Sequence, residues 1–169
     1  KAFKQLTIER PDVGANIELH FVGFLRKENQ KIISKLKLQD FIKDHGYVNH
    51  DESIAKLKSA DVLWFMVGRR RNIDAILPGK VYEYIGAKKP ILACVPDGAA
   101  KMAVEESGAG YICSPDNIDE IKNTILKVYN DYKNNNLHSP SEEVLEKFRR
   151  DNLTEVLTKQ FQLKLRAEV

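Results

Sequence analysis

Two nearly uninterrupted apolar runs, Val62 to Val67 and Ile91 to Pro96, limit this chain more than any other feature. They are strand length, and they lack the polar alternation of a strand with one wet face. Strands of this kind lie in mostly parallel sheets, buried on both sides by helices. They fall far short of the roughly 20 apolar residues needed to span a bilayer. Amphipathic stretches separate them, which is the βαβ pattern. Five strands are read: Ile17 to Val22, Asp44 to Val48, Val62 to Val67, Ile91 to Val95 and Tyr111 to Cys113. The expected fold is a three-layer α/β/α domain with a mostly parallel sheet, the third and fourth strands lying mid-sheet.

Helix starts support this order. Asn49 with Glu52, and Asn117 with Glu120, read as capping boxes before apolar stripes. Ser139, Pro140 and Glu142 read as cap, first-turn proline and third-position acid of a later helix. Leu153 to Leu165 is expected to form a C-terminal helix laid back on the body. The 169 residues form one domain, 1–169, large enough for a full core without staples. The 27 Lys and Arg against 24 Asp and Glu leave a charge of +3, so any anion site must be local. Cys94 and Cys113 sit in apolar runs, where free thiols act as small buried hydrophobes. With no signal-peptide pattern at Lys1 to Gln5, a cytoplasmic location is expected.

The stretch from Gly68 to Pro78 exceeds the ~2 to 6 residues usual between a strand and a helix. Ligands of open α/β sheets bind at the carboxyl ends of strands, so the site is placed here. Pro78 and Gly79 free the next helix start of side-chain bulk, leaving its N–H groups for a phosphate. Lys80 in the first turn opposes the helix dipole unless an anion binds. Glu83 shares its stripe, whereas Val81, Tyr84 and Ile85 form the inward side. A carboxylate about one turn, ~4.5 Å, from a phosphate-binding helix end suits the hydroxyls of a ribose. An exposed Lys and Glu pair is the plainer alternative.

The run Leu77-Pro78-Gly79-Lys80-Val81-Tyr82-Glu83-Tyr84-Ile85-Gly86-Ala87-Lys88-Lys89-Pro90-Ile91-Leu92 resembles the donor-binding signature of group 1 glycosyltransferases (family 4, the GT-B fold). Leu19 to Gly23, Gly46 to His50, Ser59 to Leu63, and Ser107 to Tyr111 followed by Pro115 to Asn117 resemble its other landmarks in order. The resemblance covers about residues 15 to 132. It implies a Rossmann-like, C-terminal nucleotide-sugar-binding domain. Glu83 matches the glutamate that holds the ribose. Lys80 and Gly79 match the helix start facing the diphosphate. Val48 and Asn49, up to His50, match the loop against the base, and Gly98 and Ala99 match the loop near the donor sugar. Gly23 matches the glycine turn after the second strand. The first glutamate of the commoner Glu-x7-Glu pair would fall at Ala75, which departs from the pattern.

The resemblance further implies transfer from a nucleoside diphosphate sugar, a substrate rather than a cofactor, without a metal. An acceptor in bacterial surface polysaccharide synthesis is expected. No catalytic residue is assigned to this domain, although Lys80 and Arg69 are candidates to stabilise the leaving diphosphate. Expected partners are the donor, an N-terminal acceptor domain of the same polypeptide and the inner membrane face, and not nucleic acid. Such a domain starts with one more strand, so either that strand is missing before Lys1 or Phe3 to Ile8 forms it. A nucleotide-sugar epimerase of the same architecture remains open, as does a non-catalytic module binding RNA or anionic lipid through Arg69 to Arg71. His45 and His50 lack a metal-ligand cluster. His20 reads as structural, and Trp64 and Tyr47 as core.

Overall fold

The computed structural model describes residues 1–69 and 73–167, with side chains described to Leu163. Helices α1 (Ala2–Glu9) and α2 (Pro11–Gly14) lead to β1 (Leu19–Phe21). Helix α3 (Lys27–Lys35) and a 3-10 turn (Gln39–Phe41) lead to β2 (Ile42–Asp44). Then α4 (His50–Ser59), β3 (Leu63–Met66), α5 (Lys80–Gly86), β4 (Ile91–Cys94), α6 (Ala99–Ser107) and β5 (Gly110–Cys113) alternate. Helices α7 (Ile118–Lys133), α8 (Glu142–Phe148) and α9 (Arg150–Ala167) complete the described chain. It is a Rossmann-like α/β architecture of parallel sheets flanked by helices.

Every strand pair is parallel. β1 pairs with β2, with Leu19 opposite Ile42, and a second sheet has the order β3-β4-β5. In the latter Leu63 faces Ile91 and Cys94 faces Cys113. β4 is therefore central, but β3 is an edge strand, which corrects its expected mid-sheet place. Between β1 and β3 there is no ladder; the rings of Phe21 and Trp64 meet edge to face, 6.2 Å apart.

Two apolar clusters hold these layers. Val81 and Ile85 of α5 pack with Phe65, Ile91, Ala93 and Val104. Burial of each large side chain of that kind contributes about 1.5–3 kcal/mol. The second cluster joins Phe3 and Leu6 of α1 to Leu19, Ile42 and Ile125. Phe3 to Ile8 is thus helix rather than strand, because Phe3 and Leu6 fall on one face against α7.

Other expectations need correction. The second strand ends at Asp44 instead of starting there: Gly46 donates to Asp44 Oδ1 (3.0 Å) and adopts φ 63°, which turns Tyr47 and Val48 out of the ladder. Tyr47 is 75% exposed, so it is not core, and Trp64 is 44% exposed on the unpaired side of β3. The cap of α8 is Ser141, whose hydroxyl accepts from Val144 N (3.3 Å), because proline keeps the preceding Ser139 out of the helical region. Helix α9 exists, yet Leu153, Val156, Leu157 and Phe161 are exposed, and it is not laid back on the body. The capping at Asn49 and Asn117 is as read, each accepting from the amide of Glu52 or Glu120.

Candidate functional site

The strands are parallel within each sheet, so the carboxyl ends of β3, β4 and β5 share one edge of theirs and those of β1 and β2 lie side by side in the other. At the edge of β3 to β5 the residues after β3 fold back onto the start of α6. Asp74 C=O accepts the Ala99 amide at 2.7 Å, over Gly98 at φ 139°. A Cβ on Gly98 would lie 2.4 Å from that carbonyl oxygen, so only glycine permits the approach. Gly98 and Ala99 are therefore brought against the loop that leads to α5. The carbonyl of Asp74, not a side chain, occupies the first turn of α6.

Gly79 caps α5 with no side-chain bond, and Lys80 Nζ lies 3.8 Å from Glu83 Oε2. Both side chains are about half exposed, while Val81 and Ile85 on the opposite stripe are fully buried. A surface pair of this type is worth only about 0–1 kcal/mol, so both groups are free to exchange partners for a ligand. Tyr84 is partly buried against the core, and burial pushes its hydroxyl above the ordinary tyrosine range, helped by the neighbouring Glu83 charge.

The ends of β1 and β2 lie side by side in the other sheet. Gly23 (φ 117°) donates its amide to Gly46 C=O at 2.7 Å, which ties the two turns together. Val48 is half-buried, and the Asn49 side chain is engaged in capping α4 (2.9 Å to the Glu52 amide). His20 Nδ1 lies 3.0 Å from His45 Nε2, with Glu18 at the other His20 nitrogen and Lys56 Nζ 3.2 Å from His45 Nδ1. One arrangement of protons satisfies the chain: Lys56 donates to His45, His45 to His20, and His20 to Glu18. His20 is structural, as expected, through partners that sequence spacing did not join.

Arg69 does not stand free. Its guanidinium pairs with Asp116 (2.8 Å) and donates to Ser114 (3.4 Å), linking the end of β3 to the turn after β5. Arg70 and Arg71 lie outside the described residues. A cavity of about 350 Å³ beside this link is lined by Arg69, Asp97, Lys101, Glu105, Cys113 and Glu120, and not by Lys80 or Glu83. Its charges are largely spent on each other. The Lys101 ammonium, 2.8 Å from Asp97, holds that carboxyl below its usual range, and Lys101 is raised in turn. Cys113 has its thiol pushed up by the hydrogen bond to Cys94 (3.5 Å) and by burial.

Sequence reasoning missed one feature of the turns after β1 and β2. Phe24 and Tyr47 stack, with ring centroids 5.7 Å apart and planes 25° apart, and are 84% and 75% exposed. The available signal was an aromatic residue directly after each turn glycine, Gly23-Phe24 and Gly46-Tyr47.

Parallel strands flanked by helices define a Rossmann-like α/β domain. The model of the group 1 glycosyl transferases matches residues 1–144, and the chain belongs to that family. Its fold resembles AviGT4, a glycosyltransferase involved in avilamycin A biosynthesis (TM-score 0.59, 15% identity, 95% of this chain and 45% of that one). It also resembles sucrose-phosphate synthase from Thermosynechococcus elongatus (0.59, 16%, 100% and 43%). A third relative in structure is the pneumococcal O-GlcNAc transferase GtfA, solved with UDP and GlcNAc (0.50, 18%, 99% and 31%). The chain spans less than half the length of each, and at these identities the likeness is one of fold. No curated protein sequence matches it. Among the described residues no helix is long and apolar enough to cross a membrane.

Proposed function

We propose that this chain is the C-terminal, nucleotide-sugar-binding domain of a family 4 glycosyltransferase, which takes its donor at the edge formed by α5 and the loops after β1, β2 and β4. The observation that carries this reading is the split of α5. Val81 and Ile85 anchor the helix in the core, while Lys80 and Glu83 stand together on its solvent stripe at the ligand edge. Glu83 would hold the ribose hydroxyls. Lys80 and the backbone at Gly79 would face the diphosphate, whose negative charge grows as the sugar–phosphate bond breaks. Val48 and Asn49 would lie near the base, with Gly23 in the neighbouring turn, and Gly98 and Ala99, held by the Asp74 carbonyl, would lie near the donor sugar.

In this reading Arg69, paired with Asp116 on the surface, would be a second candidate beside Lys80 to meet the leaving diphosphate. Transfer then needs no metal, because the developing charge is met by Lys80 and amides. It does need an N-terminal domain of the same polypeptide to bind the acceptor. The edges of β1 and β3, which share no ladder, would take the strand that opens a donor-binding domain of this family. An acceptor in bacterial surface glycan synthesis, at the cytoplasmic face of the membrane, is the proposed setting.

Calorimetric titration with nucleoside diphosphates tests the site. One of them should bind the wild-type chain without sugar transfer, and Glu83→Ala should weaken it at least about ten-fold, the loss of one charge-assisted hydrogen-bond pair. Identical titrations for wild type and Glu83→Ala would sink the assignment.

A further inference from the structure

The chain has two cysteines, and the fold sets them side by side. Cys94 is the last residue of β4 and Cys113 the last of β5, and the two are register partners. The Cys113 thiol donates to Cys94 Sγ at 3.5 Å, and both residues are buried. Neighbouring strands run about 4.7–4.9 Å apart, within the ~4.4–6.8 Å that a disulfide spans between Cα atoms. Buried thiols are usually inert, but three features set this pair apart. Each cysteine ends its strand, so the loop that follows can absorb a shift. β5 is an edge strand, with no ladder on its far side among the described residues. The cavity of about 350 Å³ is lined by Cys113 together with Val95 and Pro96, which gives a small oxidant a way in. The hydrogen bond from Cys113 also brings the Cys94 thiol below its ordinary value and so favours the thiolate, the reactive form.

We propose that Cys94 and Cys113 are a peroxide-sensitive dithiol, closed reversibly to a disulfide that draws the carboxyl end of β5 toward β4. Hydrogen peroxide is the oxidant. The Cys94 thiolate attacks one peroxide oxygen and the O–O bond breaks, leaving a sulfenic acid on Cys94 and a hydroxide that takes up the proton Cys94 released. The Cys113 sulfur then attacks the Cys94 sulfur. Its proton leaves with the sulfenic oxygen as water, and the S–S bond forms. One peroxide and two thiols thus give one disulfide and two waters. The sulfurs close from 3.5 Å to about 2.05 Å, and the shift falls on the turn after β5. That turn holds Ser114 and Asp116, the partners of Arg69, so oxidation acts on the link between the ends of β3 and β5. The proposal is independent of the nucleotide-binding reading.

Treatment of the folded chain with a small excess of hydrogen peroxide tests it, read by thiol titration, mass spectrometry and amide exchange. Both thiols should be lost, the mass should fall by two hydrogens, and digestion should yield peptides joined through Cys94 and Cys113. Dithiothreitol should restore both thiols. Amide exchange at Ser114, Asp116 and Asn117 should change on oxidation and revert on reduction. Cys94→Ala and Cys113→Ala should each keep the remaining thiol at the same dose, because a buried thiol alone lacks its resolving partner. Thiols that survive in the folded chain and react only in urea overturn the proposal, since they would meet the oxidant only on unfolding. Loss of the single thiol in both variants at the wild-type rate overturns it by making the two cysteines independent. Disulfides between chains, or a bond that leaves exchange at Ser114, Asp116 and Asn117 unchanged, overturn it as well.

Discussion

In the sheet of β3, β4 and β5, Ile91 and Ala93 are wholly buried under α5 and α6, whose Val81, Ile85 and Val104 are equally inaccessible. In the sheet of β1 and β2 no strand residue is buried to that degree: Leu19, Phe21 and Ile42 are intermediate, and His20, Lys43 and Asp44 are exposed. The first sheet is packed as a parallel sheet requires. The second is covered mainly where Leu19 and Ile42 meet α1 and α7. Its other side carries the hydrogen-bonded chain of Glu18, His20, His45 and Lys56. Stability is thus concentrated in one half, whereas the other presents turns and rings to solvent. The half with less packing can adjust its shape at lower cost.

The largest test of this contrast is core truncation. Ile85→Ala and Ile91→Ala, at fully buried sites, should each lose about 2–5 kcal/mol in urea unfolding. Leu19→Ala, at a half-buried site, should lose clearly less. Equal losses would mean that the two sheets are equally packed, and the contrast would fail.

The glycines sharpen it next. Gly98→Ala places a Cβ 2.4 Å from Asp74 O at φ 139°, so the loop after β3 must leave α6 and the expected cost is about 1–3 kcal/mol. Gly46→Ala meets nothing within 4 Å and carries only the left-handed penalty, roughly 1–2 kcal/mol at most. Amide exchange at Ala99 should rise in the first variant and not in the second.

What the sequence revealed follows the same division. Ile91 to Pro96 was legible because a strand covered on both faces writes its burial into an unbroken apolar run, whereas Val62 to Val67 reads the same although β3 leaves Trp64 and Met66 exposed. Asn49 and Asn117 were legible because a cap is local chemistry. β2 was misplaced because Tyr47 and Val48 have strand-forming side chains while a glycine φ, invisible to propensity, decides their course. Lys80 and Glu83 were paired correctly from helical spacing. Arg69 with Asp116, and His20 with His45, join residues far apart in the chain, and no local pattern reports such contacts. Tyr47 was read as core because aromatic content alone does not say which way a turn will aim a ring.

Alkaline pH gives a smaller effect, specific to the well-packed half. Burial raises the hydroxyls of Tyr84 and Tyr111 above the ordinary tyrosine value. Tyr111 also donates to Asp131 (2.9 Å) and accepts from His138 N (3.3 Å). Because the folded values lie above the unfolded one, these neutral tyrosines stabilise the fold fully below about pH 10. Their contribution is lost as pH climbs from the unfolded value through the folded ones. Thermal melts between pH 8 and 11, a range that brackets the tyrosine value, should show a falling Tm. Tyr111→Phe should flatten part of that slope and cost about 0.5–1.5 kcal/mol at neutral pH. An unchanged slope in the variant would remove Tyr111 from the account.

The helix caps give the smallest effects and the finest comparison. Asn49 and Asn117 make the same bond, side-chain oxygen to the amide three residues on, at 2.9 and 3.0 Å. Replacing either by alanine removes about 1 kcal/mol of local helix stability. The helices differ in what they hold. α7 packs on β4, β5 and α1 and so serves both clusters, whereas α4 buries no residue fully. Asn117→Ala should therefore lower global stability by nearly the whole amount in urea unfolding. Asn49→Ala should leave the global midpoint almost unmoved and instead raise amide exchange over the first turn of α4, beside Val48. A full global loss from Asn49→Ala would show that the β1–β2 half unfolds together with the rest, and the division between a rigid half and an adaptable one would have to be abandoned.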